Sequence, residues 1–382
     1  MTDAEKLLMA LILKGLQGEK NDIEIPKETL RKVYNISRKH DLSHLVATAL
    51  ENTDNFEKNG EIGKLLKKDY QIAIYRYSSM EYEYTRIIEA FSSAHIPYIS
   101  LKGMVIKGLY PEAWMRTSCD IDILIKECDI DRAIKVLVDT LGYKKERKVY
   151  HDISFISPLK IHLELHFSIK ENMHKLDYVL SQVWDYAIKT DETSSEYRLT
   201  NEFLFFHNIA HLAYHFASGG CGIRNVLDIW LMKKSLEIDE TVFNKLLCES
   251  NLRCFYEEII HLSESWFEGK SISELQERMS NYIIQGGVYG TRENSVIIRQ
   301  NKLGGKTRFL INRIFPPYKQ MRVRYITLNK IPILLPFYWI VRLCEAMFGK
   351  RRASHIAELN TSRNISNVKK EEIINLLKDL NV

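Results

Sequence analysis

Residues 119–125 read Cys119-Asp120-Ile121-Asp122-Ile123-Leu124-Ile125. Their β-branched density predicts a buried strand. Side chains alternate along a strand, so Asp120 and Asp122 project from one face while Ile121 and Ile123 fill the other. Two carboxylates a few ångström apart repel each other, and a divalent cation between them relieves the repulsion. Replacing either by Asn is therefore expected to leave the fold intact or slightly stabilised. The chain carries its own control, because Asp129-Ile130-Asp131 repeats the same letters. That second pair opens a segment of helical period (Ile130, Ala133, Ile134, Leu137, Leu141, stopped by Gly142), where acidic residues serve as capping groups and offset the helix dipole. Only the first pair lacks such a local role.

Downstream, Ile161-His162-Leu163-Glu164-Leu165-His166-Phe167 alternates again, leaving His162, Glu164 and His166 on the face opposite the leucines. Should this strand lie beside the Asp120 strand, Glu164 completes a three-carboxylate cluster of the kind that holds one or two Mg²⁺ ions against nucleotide phosphates. Further strands are expected over residues 143–149 and 153–156. Upstream, Pro97 ends a helical stretch, Tyr98-Ile99-Ser100-Leu101 reads as a short strand, and Lys102-Gly103 forms a strand-to-helix turn. Free backbone N–H groups at such a turn favour phosphate, and Gly103 permits close approach. The order is phosphate turn, acidic pair, third acid.

With these residues in place, the chain resembles the nucleotidyltransferase superfamily of DNA polymerase β-like folds, in particular a bacterial group of uncharacterised nucleotidyltransferase-like proteins. The matching residues are Leu101-Lys102-Gly103, Tyr110-Pro111, Arg116, Asp120-Ile121-Asp122, Leu141-Gly142-Tyr143 and Leu163-Glu164-Leu165-His166-Phe167, covering about residues 96–168. The resemblance implies transfer of a nucleoside monophosphate from an NTP to an acceptor hydroxyl on a small molecule or protein. It also implies Asp120, Asp122 and Glu164 as catalytic metal ligands for Mg²⁺, with Mn²⁺ as the alternative ion. Lys102, Gly103 and Arg116 would hold phosphates. In one departure, Met104 follows Gly103 where the superfamily usually has Gly or Ser. That departure motivates a second reading, a nucleotide-binding or protein-interaction module that has lost turnover.

The implied fold class is α+β, a small mixed sheet with helices flanked by predominantly helical regions. The expected layout is an N-terminal helical region (1–95), an α/β core (96–170), a helical domain flanking the cleft (171–290) and a basic C-terminal segment, irregular before its terminal helix (291–382). In the first region the tyrosines at 70, 75, 77, 82 and 84 are expected to pack between helices. In the third, the helical period returns near Leu176 and continues to about Ile284. His207, His211 and His215 recur there at i, i+4 and i+8, along one slowly rotating helix face. No Glu follows the first His as in a metalloprotease helix, and no cysteine cluster supports zinc. These histidines, with His166, Arg224 and Asp228, are read as a wall of the cleft.

Composition bounds the rest. The 382 residues are 45% apolar and 27% charged, with 17 Gly and 8 Pro, which excludes collagenous and mainly disordered classes. Six cysteines without a CxxC pair fit reduced thiols in the cytoplasm. Asp3 and Glu5 ahead of a short apolar run argue against a secretory signal. The net charge of +5 is uneven, since residues 294–344 contain ten Lys or Arg and no acid, leaving the remainder at −5. Such a segment could meet nucleic acid, an anionic membrane surface through Phe337, Tyr338 and Trp339, or the acidic rest of the chain. Intramolecular packing is the favoured reading and nucleic acid the least favoured. The apolar run 331–341, with Pro332 and Pro336, is too short to cross a bilayer.

Overall fold

The acidic pair does begin a strand, and the sheet grows outward from it. A computed structural model describes residues 1–18, 25–51, 53, 56–148, 151–348 and 352–382. Its strands are β1 (Tyr98–Ser100), β2 (Asp120–Ile125), β3 (Lys144–Lys148), β4 (Asp152–Ile156), β5 (His162–His166), β6 (Ala187–Lys189) and β7 (Glu196–Leu199). They form one mixed sheet in the order β3-β4-β5-β2-β1-β7-β6. Central β2 runs parallel to β5 and antiparallel to β1. The protein is thus α+β, with helices dominating the remainder. Val149, the last residue of the strand expected over 143–149, lies outside the described residues.

Alternation gives the sheet two chemically distinct faces. On one, Ile121, Ile123, Ile125, Ile153, Phe155, Leu163 and Leu165 are fully buried with Ile87 and Phe91 of the helix Glu61–Ser93 and with Ala133 and Leu137. Each such side chain contributes about 1.5–3 kcal/mol on leaving water. A few of them offset the cost of holding two acids together on the opposite face. There, Ile99, Leu101 and Leu124 join a large apolar cluster with the helices Asp3–Gln17, Asn201–Phe216, Ile223–Ser235 and Arg253–Glu268. That cluster contains residues from Ala4 to Leu380.

Four sequence expectations are corrected. The stretch beyond Leu176 is interrupted by β6 and β7, which complete the sheet beside β1. These strands have only three and four residues and no clear alternation of burial, so pattern alone does not reveal them. Asp129 makes no side-chain capping bond. Its carboxylate instead pairs with Arg132 Nη1 at 2.6 Å, because Asp129 itself already has helical backbone angles and cannot fold back on the first turn. Tyr75 and Tyr82 face solvent, since the helix carrying them is covered on one side only. Finally, the basic segment is helical, with Arg292–Lys302, Lys306–Ile314, Tyr318–Arg324 and Leu335–Phe348 among its elements. Several of its cations pair within the C-terminal region: Arg299 and Arg313 meet Glu358, and Arg324 meets Glu345. Ile333 and Phe337 are 85% and 58% exposed. No helix among the described residues is long and apolar enough to cross a membrane.

Candidate active site

The parallel register of β2 and β5 sets Asp120 opposite His162 and Asp122 opposite Glu164. Asp120, Asp122 and Glu164 therefore share a face, as alternation requires. They line a cavity of about 320 Å³, together with Lys102 and Gly103 after β1, His166 at the end of β5, and the histidines of the helix Asn201–Phe216. Asp122, Glu164 and His166 each bring a ligand atom within 4.8 Å of the others. Asp120 stands outside that tight group, on the same wall.

The two aspartates are electrostatically unequal. Burial, followed by the charge of Asp122, pushes the Asp120 carboxyl up to about 6. Burial acts in the same direction on Asp122, but it is overcome there. Lys102 Nζ donates to Asp122 Oδ1 at 2.7 Å and His166 Nε2 donates to the same oxygen at 2.8 Å, and together they hold Asp122 well below the usual carboxylate range. Glu164 is also held down, first by its hydrogen bond from His166. Burial tends to lower His166, and its bonds to Asp122 and Glu164 overcome that and raise it.

Local backbone aims Lys102 at the acid. Its φ of 47° lies in the left-handed region, a conformation costing about 1–3 kcal/mol for a side-chain-bearing residue, and the bond to Asp122 offsets that cost. Glycine is required next. A Cβ on Gly103 would meet Ser118 Oγ at 2.0 Å and Arg116 Nη1 at 3.1 Å.

Arg116 and Asp228, read from sequence as phosphate ligand and cleft wall, form a buried pair. Nη2 and Nε of Arg116 reach the Asp228 carboxylate at 2.8 and 3.0 Å, with the Tyr110 hydroxyl donating to Asp228 at 2.7 Å. The two side chains are only 7% and 5% exposed. Nη1 of Arg116 donates to Thr117 O and Ser118 Oγ, so this guanidinium fixes the loop that enters β2. Arg224 donates through Nη1 to Asp41 Oδ2 and Thr117 O at 3.1 and 2.9 Å. Its Nε is buried without a hydrogen-bond partner, in the wall of the same cavity.

Two of the three histidines of the opposite wall are linked by hydrogen bonds, and His207 stands apart with its Nδ1 buried and unpartnered. His211 Nδ1 meets Glu171 Oε1 at 2.8 Å, and His215 Nε2 meets His211 Nε2 at 3.0 Å. Burial pushes His207 down to about 3 and His215 to about 4, and holds His211 well below its ordinary value. Burial thus disfavours the charged form of all three rings. Burial lifts Glu171 to about 7.

Sequence reasoning missed Glu171, His151, Asp152 and Tyr289, all of which line the cavity. Asp152 had a readable signal. It continues the alternation Asp152, Ser154, Ile156 one residue before the strand predicted from Ile153. Glu171 and Tyr289 stand in connections without periodicity, and nothing in their neighbourhoods marks them.

The mixed sheet presents paired aspartates and a facing glutamate into one polar cavity. The chain belongs to the family described as uncharacterised nucleotidyltransferase, whose model matches residues 26–268. No curated protein and no solved structure matches it.

Proposed function

We propose that the protein transfers a nucleoside monophosphate from an NTP to an acceptor hydroxyl, with Asp120, Asp122 and Glu164 holding Mg²⁺. The observation that carries this reading is the β2–β5 register, which aligns Asp122 with Glu164 and sets Asp120 on the same face of the cavity. Three carboxylates form a hard oxygen donor set suited to Mg²⁺ or Mn²⁺. When bound, such an ion neutralises polyphosphate charge and stabilises the attacking and leaving oxygens.

The chain's own residues do the remainder. Lys102 and the unpartnered Nε of Arg224 supply positive charge to the phosphates, while Gly103 keeps the turn open to them. Arg116 acts as a positioning residue, locking the entry to β2 through Asp228. Glu164, half-exposed at the cavity wall, is placed to take the acceptor's proton.

Calorimetry with each NTP and Mg²⁺, followed by pyrophosphate release with candidate acceptors, tests the reading. Mg²⁺-dependent binding that disappears in Asp120→Asn is expected, and failure of every NTP to bind would overturn it. One observation favours the second reading, a module without turnover: Asp122 is already paired with Lys102 and hydrogen-bonded to His166. Tight nucleotide binding with no pyrophosphate released in any acceptor screen would establish that alternative.

A further inference from the structure

Beside the carboxylate cluster lies a second donor set of different chemistry. Asp152, the first residue of β4, sits directly across the strand pair from His166, the last residue of β5, and His151 precedes it. Each of His151, Asp152 and His166 offers a ligand atom, and these atoms all lie within 4.8 Å of one another. The rings of His151 and His166 are nearly parallel, at 8°, with centroids 6.1 Å apart.

The hydrogen bonds fix what each group has left to give. His166 directs Nε2 at the Asp122 carboxylate (2.8 Å), whereas His151 Nε2 stands 3.1 Å from Asp152 Oδ2 as an ion-pair contact. A nitrogen bonded to a carboxylate carries the proton, so Nδ1 of the neutral His166 ring presents a lone pair, and His151 keeps a ring nitrogen free to ligate. Both Nδ1 atoms, and Asp152 Oδ1, are buried without a hydrogen-bond partner. The side chains of Asp152 and His166 are only 5% and 6% exposed. Buried polar atoms without partners are costly unless something electropositive satisfies them. Asp122 stands behind His166 as carboxylates do behind metal-binding imidazoles, setting the tautomer and the ring orientation.

We propose that His151, Asp152 and His166 bind a borderline divalent transition metal of the Zn²⁺ class, separate from the hard-cation site on Asp120, Asp122 and Glu164. Two imidazoles and one carboxylate favour Zn²⁺ over Mg²⁺. Three protein ligands leave a fourth position, and all three residues line the cavity, so that position opens toward the substrate side. This assignment does not depend on nucleotidyl transfer, and its test contains no nucleotide.

The full-length protein, stripped with chelator and kept in excess Mg²⁺, is titrated with Zn²⁺ by calorimetry and with Co²⁺ by visible absorption, which reports nitrogen ligation. One equivalent of Zn²⁺ is expected. Asp152→Ala and His151→Ala should each weaken binding at least tenfold and remove the Co²⁺ bands. His151 is 30% exposed, so its variant retains the fold, as circular dichroism will verify. Asp122→Asn should weaken Zn²⁺ binding by about 10–100-fold through His166, and Glu164→Gln should leave it unchanged. Absence of Zn²⁺ binding in excess Mg²⁺, or unaltered affinity in His151→Ala, would overturn the proposal. So would loss in Glu164→Gln with retention in Asp152→Ala, which would put the ion on the carboxylate side.

Discussion

Asp120-Ile121-Asp122 and Asp129-Ile130-Asp131 have the same letters and opposite circumstances. In the first, both acids face a cavity, share it with Glu164, and divide into one carboxyl raised by burial and one held ionised by Lys102 and His166. In the second, Asp129 is neutralised by Arg132 three residues on, and Asp131 faces solvent. The difference teaches that a pair of acids acquires chemistry from the period of its element. A two-residue period with an apolar far face drives both acids inward together, while a 3.6-residue period separates them.

The strongest way to break this contrast is Asp122→Asn. It leaves Lys102 without its buried counter-charge and His166 with a weaker acceptor, and losing one partner of a buried pair costs about 3–5 kcal/mol. Urea unfolding should show that loss, against the expectation from sequence that relieving repulsion leaves the fold intact or slightly stabilised. A change below about 1 kcal/mol would mean that Lys102 does not neutralise Asp122 in solution. Next in size, Glu164→Gln should lower kcat by about 10²–10⁴-fold while nucleotide affinity stays nearly constant. An equal loss of both would make Glu164 a binding group only.

Asp120→Asn sharpens the comparison through pH. With the Asp120 carboxyl raised to about 6 from an ordinary 3.8, the folded state keeps a proton that the unfolded chain releases. Stability is therefore present below about pH 4 and is lost as pH rises through about 6, to the extent of roughly 2–3 kcal/mol. Unfolding in metal-free buffer from pH 4 to 7 should show that slope, and the Asn variant should flatten it. The smallest effect is Asp131→Asn. It should change stability by no more than about 0.5 kcal/mol and leave turnover untouched; a measurable loss of activity would reverse the assignment of the two pairs.

The acidic strand, its partner carrying Glu164, and the turn at Lys102-Gly103 were legible because each rests on short-range alternation or on a single backbone requirement. Arg116 and Asp228 could be seen as special but not understood. Their meaning is a pairing between residues far apart in the chain, and charge alone does not say whether an arginine meets a phosphate or an aspartate. The short strands β6 and β7 escaped for a related reason, since their pairing with β1 is decided by the neighbouring sheet edge and not by their own residues. The histidine row was placed correctly on a helix facing the sheet, but its link to Glu171 comes from a connection with no pattern to read.

The walls of the cavity come from widely separated stretches of chain. Thr117 is tied to Asp41 and Arg224, and Val288 and Tyr289 close the rim. Translation at about 5–20 residues per second brings Tyr289 out of the ribosome roughly ten to thirty seconds after Asp122. Through that interval the half-built sheet exposes Ile99, Leu101 and Leu124, which the later helices cover. Strands β1 to β5 are therefore no portable cassette: a nascent chain stalled after Lys170 should be cut readily by protease across them, where the released full-length protein resists.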